Sequence, residues 1–214
     1  VPGLTVGHHR RFLAEVVQQL QGNGYRVREP YQVLNATAFG VPQSRRRLFL
    51  LGSREDMVPP HYPEATTVPA DQVGQLTLSD SARVLPAGPT VWDAIGDLPE
   101  PEAYAELLSR DWAMAEFGTP TAYAALLRGL RADPDDFSYP RSCDGAVLTS
   151  SLRSHHSAES VERFAATPVG QTESVSRFMR LDPRGVCNTL RAGTASNRGA
   201  FTSPRPIHPY VPRC

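Results

Sequence analysis

Between Gln43 and Arg47 the chain reads QSRRR. Gln43, Arg45 and Arg47 are alternate residues, so on an extended strand their side chains would share one face and Ser44 and Arg46 the other. Three long donors in a row make a fork for an anion or for a ring bearing carbonyl oxygens. Arginine suits that task because its planar guanidinium gives two parallel hydrogen bonds and keeps its charge when partly desolvated. The same cluster would equally serve as a solvated strand edge that discourages aggregation.

A second stretch with chemistry in it is 186–213, VCNTLRAGTASNRGAFTSPRPIHPYVPR. Small residues, Gly, Pro and Arg dominate it, so it packs poorly by itself. It would suit a phosphate backbone, offering amide and hydroxyl donors with Arg191, Arg198 and Arg205; the alternative is a loose basic linker. Other chemistries find less support. Cys143, Cys187 and Cys214 are odd in number and widely spaced, which argues against a disulfide framework and for a reducing compartment. No histidine has ligand spacing with a cysteine, so no zinc or other metal site is expected. There is no GxGxxG or Walker-type loop and no internal repeat.

The elements that must position these residues follow from punctuation and periodicity. Leu13, Val16, Val17 and Leu20 recur at helical spacing and predict a helix over 8–22, ended by Gly22 or Gly24. Tyr25–Val27 starts a strand. Pro42 steers Val41 away from helix, and a strand over 47–51, closed by Gly52, reads as buried on both faces. Residues 53–89 are a connecting stretch. A short helix is predicted over 90–98, with Thr90 as cap and Asp93 three residues on. Further helices are expected over 102–116 (Tyr104, Leu107, Leu108, Trp112 inward) and after Thr119-Pro120 (Tyr123, Leu126, Leu127, Leu130 inward). A last one spans 157–166, with Val161, Phe164 and Ala165 inward. Turns fall at 133–136 and 182–185.

The chain has 214 residues, enough for one large domain or two small ones, and no apolar run long enough for a membrane span. Its 22 basic residues are all arginine and are balanced by 22 acids, which excludes a uniformly basic nucleic-acid coat. The balance is local: net +6 over 1–54, −4 over 55–92, −7 over 93–136 and +5 over 137–214. Two basic ends around an acidic middle suit a polyanion held between two faces, or reflect ordinary variation between domains.

FGVPQSRRRLFLLG resembles the Q-x-R-x-R motif region of the DNA cytosine-5 methyltransferases. NTLRAGTASNRGAFTSPRPIHPYVPR resembles the end of that family's target-recognition region running into its next motif. The opening VPGL, then a helix, then GY, is also similar, with Val1 matching the end of a Glu-Asn-Val motif. The likeness covers 1–52, the TVWDAIGDLP segment and roughly 145–213; residues 100–140 match no motif of the family.

The resemblance implies an α/β fold: part of a Rossmann-like AdoMet-methyltransferase sheet plus a smaller, irregular target-recognition domain. The expected divisions are 1–55 for the end of the catalytic domain, 56–99 for a connection with a short helix, 100–190 for target recognition and 191–214 for the return. It implies methyl transfer from S-adenosyl-L-methionine to carbon 5 of a flipped-out cytosine in duplex DNA, within a restriction-modification setting in a prokaryotic, nucleoid-associated cytoplasm. The family's glycine-rich cofactor loop, Pro-Cys nucleophile and catalytic Glu precede the matched region. The chain is therefore expected to bind little of the cofactor itself and to be inactive without a further catalytic portion or separate chain. The alternative is a non-catalytic DNA-recognition module or half of a split methyltransferase. By the resemblance Arg47 would donate to the cytosine carbonyl, Arg45 would hold a nearby phosphate and the nucleophile's surroundings, and Gln43 would brace the gap left by the base. Thr189, in the Thr189-Leu190 pair, would grip a phosphate, and Asn188, Arg191 and Arg198 would contact DNA. Arg46 points away.

Overall fold

The computed structural model describes residues 9–72, 85–134, 136, 139, 144–190 and 205–213. Helix α1 (His9–Gly22) buries Leu13 and Val17, one turn apart, and leaves its other faces open. Strands β1 (Tyr25–Val27) and β4 (Gly52–Arg54) pair antiparallel, as do β2 (Gln32–Asn35) and β3 (Arg46–Phe49). The two ladders are parts of one ribbon, since the Arg28 N–H donates to the Leu51 carbonyl at 2.8 Å between them. Residues 28–31 face only 50–51 there, and the Glu29–Pro30 bond within the longer arm is cis.

The ribbon positions the arginines. Its loop begins with a 3-10 turn, Ala36–Phe39, and Gly40 ends that turn at φ 73°, a left-handed conformation that glycine adopts freely. Pro42 is buried, and the chain then enters β3 at Arg46. The strand expected over 47–51 is thus shifted and shorter, and Phe49 is 43% exposed. A two-stranded ribbon has only one covered face, so burial on both faces does not hold. Strand β2, whose single apolar pair Val33-Leu34 gave no signal, completes the hairpin.

Helix α2 (Val91–Ile95) has a full capping box: the Asp93 N–H donates to the Thr90 hydroxyl at 3.1 Å, and the Thr90 N–H donates to the Asp93 carboxylate at 2.8 Å. Its next free N–H groups, on Val91 and Trp92, donate to the carbonyls of Gly185 and Pro183 at 2.9 and 3.0 Å. The turn at 182–185 therefore docks on the positive end of α2. The segment 205–213 docks on the same helix, with the Tyr210 ring edge-on to Trp92 at 4.8 Å and Trp92 crossing Gly96, where any side chain would collide with it. Helix α3 (Ala122–Leu127) packs on α2 and is capped by Thr121 instead of Thr119. The buried Asp97 beyond α2 meets Arg128 at 2.8 Å, and Arg128 also lies over the Phe117 ring.

Two predicted apolar stripes do not materialise. Residues 102–116 form 3-10 turns (Pro101–Ala103 and Ala105–Leu108) and then strand β5 (Trp112–Met114), paired antiparallel with β6 (Val147–Thr149). Leu107, Ala113 and Leu148 form a small buried core there, while Leu108 and Trp112 stay exposed. In α3 only Ala124 is buried; Leu127 and Leu130 face outward. Helix α4 (Ala158–Ala166) starts at its Ser157 cap and buries Phe164 against Phe178 and His156, but Val161 and Ala165 lie on its open side. The Arg180 guanidinium donates to the carbonyls of Ala165 and Thr167 at its end and to that of Pro209, tying α4 to the 205–213 segment.

The fold is mixed α and β. The paired strands of the described residues are all antiparallel, and no helix among those residues is long and apolar enough to cross a membrane.

Candidate nucleic-acid interface

Three sets of contacts shape the arginine loop. Asn35 closes its base: the Asn35 Oδ1 accepts the Arg45 N–H at 2.9 Å while the Ala36 N–H donates to the Arg45 carbonyl at 3.1 Å. Thr67, from the connecting stretch, stitches the 3-10 turn. Its hydroxyl donates to the Thr37 carbonyl at 2.9 Å and accepts the Gly40 N–H at 3.0 Å, and the Thr66 N–H donates to the Ala38 carbonyl at 2.8 Å.

The third set comes from residues 187–190, which run parallel to 42–45. The Cys187 N–H donates to the Pro42 carbonyl and the Ser44 N–H to the Cys187 carbonyl, both at 2.8 Å, around a bridge between Gln43 and Cys187. The Thr189 hydroxyl donates to the Ser44 carbonyl at 2.7 Å, and the Arg45 guanidinium donates to the Leu190 carbonyl at 3.2 Å. The two stretches singled out for their chemistry thus lie side by side, joined mostly through backbone.

The polar trio does not share one cleft. Arg45 and Arg47 line a cavity of about 420 Å³ with Asn35, Phe39, Phe49 and Tyr62. Gln43 lines a separate cavity of about 510 Å³ with Cys187, Leu190, Tyr123 and His208. The alternation expected of 43, 45 and 47 needs one continuous strand, but β3 begins only at Arg46, and residues 43–45 pair with 187–190 instead. Arg46 is exposed and lines neither cavity, as expected of a residue pointing away.

The arginine cleft joins two guanidiniums to three aromatic rings. Tyr62 is anchored by donating to the Phe49 carbonyl at 2.9 Å. Arg47 also donates to the Arg46 carbonyl at 2.8 Å, which holds its side chain near the strand. Rings offer stacking faces to a planar heterocycle, and guanidiniums offer donors to its carbonyl or to a phosphate. Cys187 has different chemistry: burial pushes its thiol up to about 11, so it stays protonated near neutrality and is no thiolate nucleophile.

Of the other expected contact residues, Asn188 is half-buried beside the Cys187 thiol and Leu190 is 42% exposed at the larger cavity. Arg191 and Arg198 lie outside the described residues, as do Cys143 and Cys214. Asn35, Tyr62 and Thr67 escaped the sequence reading. Asn35 carried a signal, because Asn next to a loop commonly bonds nearby backbone; Thr67, 20 residues from the motif in a Pro- and Thr-rich stretch, carried none.

A family model described as C-5 cytosine-specific DNA methylase matches residues 1–116. The Type II methyltransferase M.XorII of Xanthomonas oryzae pv. oryzae is 51% identical over 213 residues, 100% of this chain and 46% of the relative. The Type II methyltransferase M.MthTI of Methanothermobacter thermautotrophicus is 36% identical over 107 residues, 50% of this chain and 26% of the relative. The chain thus spans less than half the length of these relatives. A solved structure from E. coli, described as a DNA modification methyltransferase encoded within a prophage, superposes on 98% of this chain and 52% of its own at a TM-score of 0.59. Its 22% identity makes that a likeness of fold.

Proposed function

Because the chain belongs to the C-5 cytosine-specific DNA methylase family, we propose that it acts in methylating carbon 5 of a flipped-out cytosine in duplex DNA, supplying the target-base and DNA-gripping side of the reaction. The observation that carries this reading is the cleft holding Arg45 and Arg47 beside Phe39, Phe49 and Tyr62, stapled to residues 187–190. A base leaves the stack at a cost of about a few kcal/mol, which new contacts must offset. Arg47 donates to the cytosine carbonyl oxygen and stabilises the charge that builds there as a nucleophile adds to the ring. Arg45, already tethered to Leu190, holds a phosphate beside the target. Gln43, on the other side of the loop, braces the space the base vacates. Thr189 spends its hydroxyl proton on the Ser44 carbonyl, so its part here is to hold the loop; a phosphate, which only accepts, would have to draw that same proton away.

S-adenosyl-L-methionine supplies the methyl group when bound. Its sulfonium is a cation, and the arginine cleft has two guanidiniums and no carboxylate among its lining residues. These residues do not fit it, so we assign them to the target base and not to the methyl donor. We assign the β1–β4 ribbon to a Rossmann-like catalytic domain, residues 100–190 to target recognition and 191–214 to the return. The relatives are named as Type II methyltransferases, and we extend that role, in a restriction-modification setting on the prokaryotic nucleoid, to this protein.

Arg47→Ala tests the main reading in an enzyme active for methyl transfer. The single-turnover methylation rate should fall by about 100-fold or more, as on loss of one oxyanion donor, with DNA affinity changing far less. An equal loss in both would show that Arg47 only holds DNA.

A further inference from the structure

Residues 170–180 form a hairpin. The Gly170 N–H donates to the Arg180 carbonyl, the Arg180 N–H to the Gln171 carbonyl and the Glu173 N–H to the Phe178 carbonyl, each at 2.8 Å. Thr172 and Met179 form an antiparallel bridge inside it. The tip is Ser174-Val175-Ser176-Arg177, with Val175 57% exposed.

The tip is held from within. Glu173 is only 3% exposed, and its carboxylate accepts the N–H groups of Val175 and Ser176 and the Nε–H of Arg163 on α4. Phe178, directly after the tip, packs its ring on the fully buried Phe164 at 6.0 Å.

Arg177 sits at φ 58° in this scaffold. That is the left-handed region, where a side chain is strained and glycine or asparagine is the usual occupant. Its side chain is exposed and makes no hydrogen bond or ion pair among the described residues. Arg163 and Arg180 on the same hairpin and its support are spent on Glu173 and on backbone carbonyls. The hairpin thus holds its one uncommitted guanidinium outward at a position whose backbone disfavours any side chain. Strain of this kind persists where the surroundings over-determine it, and it gathers at ligand-contacting positions. The same segment continues through Leu181 to the residues that grip the arginine loop.

We propose that Arg177 is a specificity-determining residue whose guanidinium reads a guanine edge in the duplex, an inference that rests on the methyltransferase reading above. The rigid tip pre-pays the orientation that a bidentate contact to the guanine O6 and N7 needs, and Val175 beside it offers an apolar contact of the kind a thymine methyl takes.

The test compares the wild-type enzyme with Arg177→Gly and Arg177→Lys in a host free of cytosine-5 methylation, reading the methylated sites by sequencing. A parallel selection of bound duplexes from a randomised library reads the same preference without methyl transfer. Glycine fits the backbone, so Arg177→Gly should keep or raise Tm. It should lower discrimination at one G·C pair by about 10-fold or more, with the other positions of the site unchanged. Arg177→Lys should restore affinity but not discrimination, because an ammonium cannot make the planar fork. An unchanged consensus in Arg177→Gly overturns the proposal. So does a uniform loss across all sequences, which marks a phosphate contact. A wild-type enzyme, complete with its catalytic portion, that neither methylates nor selects DNA would instead sink the methyltransferase reading, so the two failures are distinct.

Discussion

Thr67 shows how much of the arginine loop is shaped by one hydroxyl. It donates to one backbone group and accepts from another within the turn that precedes Pro42. Thr67→Val keeps the shape of the side chain and removes both bonds, leaving the Thr37 carbonyl and the Gly40 N–H without that partner. The expected cost is about 1–3 kcal/mol of stability, measured by denaturant unfolding, with a fall in methylation rate greater than the rise in KM for DNA. Thr67→Ser should recover both; a rate indifferent to the valine would show that the turn holds without it. The donors Gln43, Arg45 and Arg47 were legible because an apolar run beside a proline marks a loop entering a strand. Their division between two cavities was not, because it depends on residues 187–190, far along the chain, which replace strand alternation with a parallel bridge.

Among the elements, α2 was read closely because its signal is local. Thr90 and Asp93 lie within one turn of each other and close the box themselves. The stretch 102–116 failed for the opposite reason. Its helical spacing was overridden by β6, more than 30 residues further on, which draws Trp112–Met114 into a ladder. The α3 stripe was a weaker miss: the helix forms, but its leucines have little to pack against on the open side. Thr90→Ala should cost about 1 kcal/mol, seen as a lower unfolding midpoint. The carbonyls of Pro183 and Gly185 rest on the start of this helix, so faster hydrogen exchange should appear at Val91 and Trp92 as well as at Asp93. Exchange confined to Asp93 would mean that the docked turn does not depend on the cap.

Across the whole molecule, acid should loosen the 205–213 segment before it attacks the rest. Burial first, and the Arg213 charge second, hold His208 below its ordinary 6.5; Arg180 adds to this, while Glu100 and Glu102 oppose it. Its Nδ1 accepts the N–H groups of Tyr210 and Val211, which requires that nitrogen to be unprotonated. The fold prefers the neutral ring, so the unfolded chain takes up the proton more readily. Stability is full above about 6.5 and drains as the pH falls below it. A second loss follows below about 4.5, where Glu102 and Glu173 must protonate. For both, burial raises the carboxyl, but hydrogen bonds and arginine partners more than offset it and hold it low. Thermal unfolding should therefore show Tm falling between pH 7 and 5. His208→Asn, which keeps an acceptor for the two N–H groups, should flatten that slope, and an unchanged slope would assign it to another group.

The pairing of 42–45 with 187–190 also bears on how the protein is made. On the ribosome, Arg45 and Arg47 emerge long before Thr189, and closing so long a loop is slow and entropically costly. A nascent chain therefore carries its arginines without the scaffold that aims them. On the methyltransferase reading proposed above, a product interrupted before Leu190 should bind duplex DNA loosely and without choosing a site, which competition between duplexes of different sequence would read.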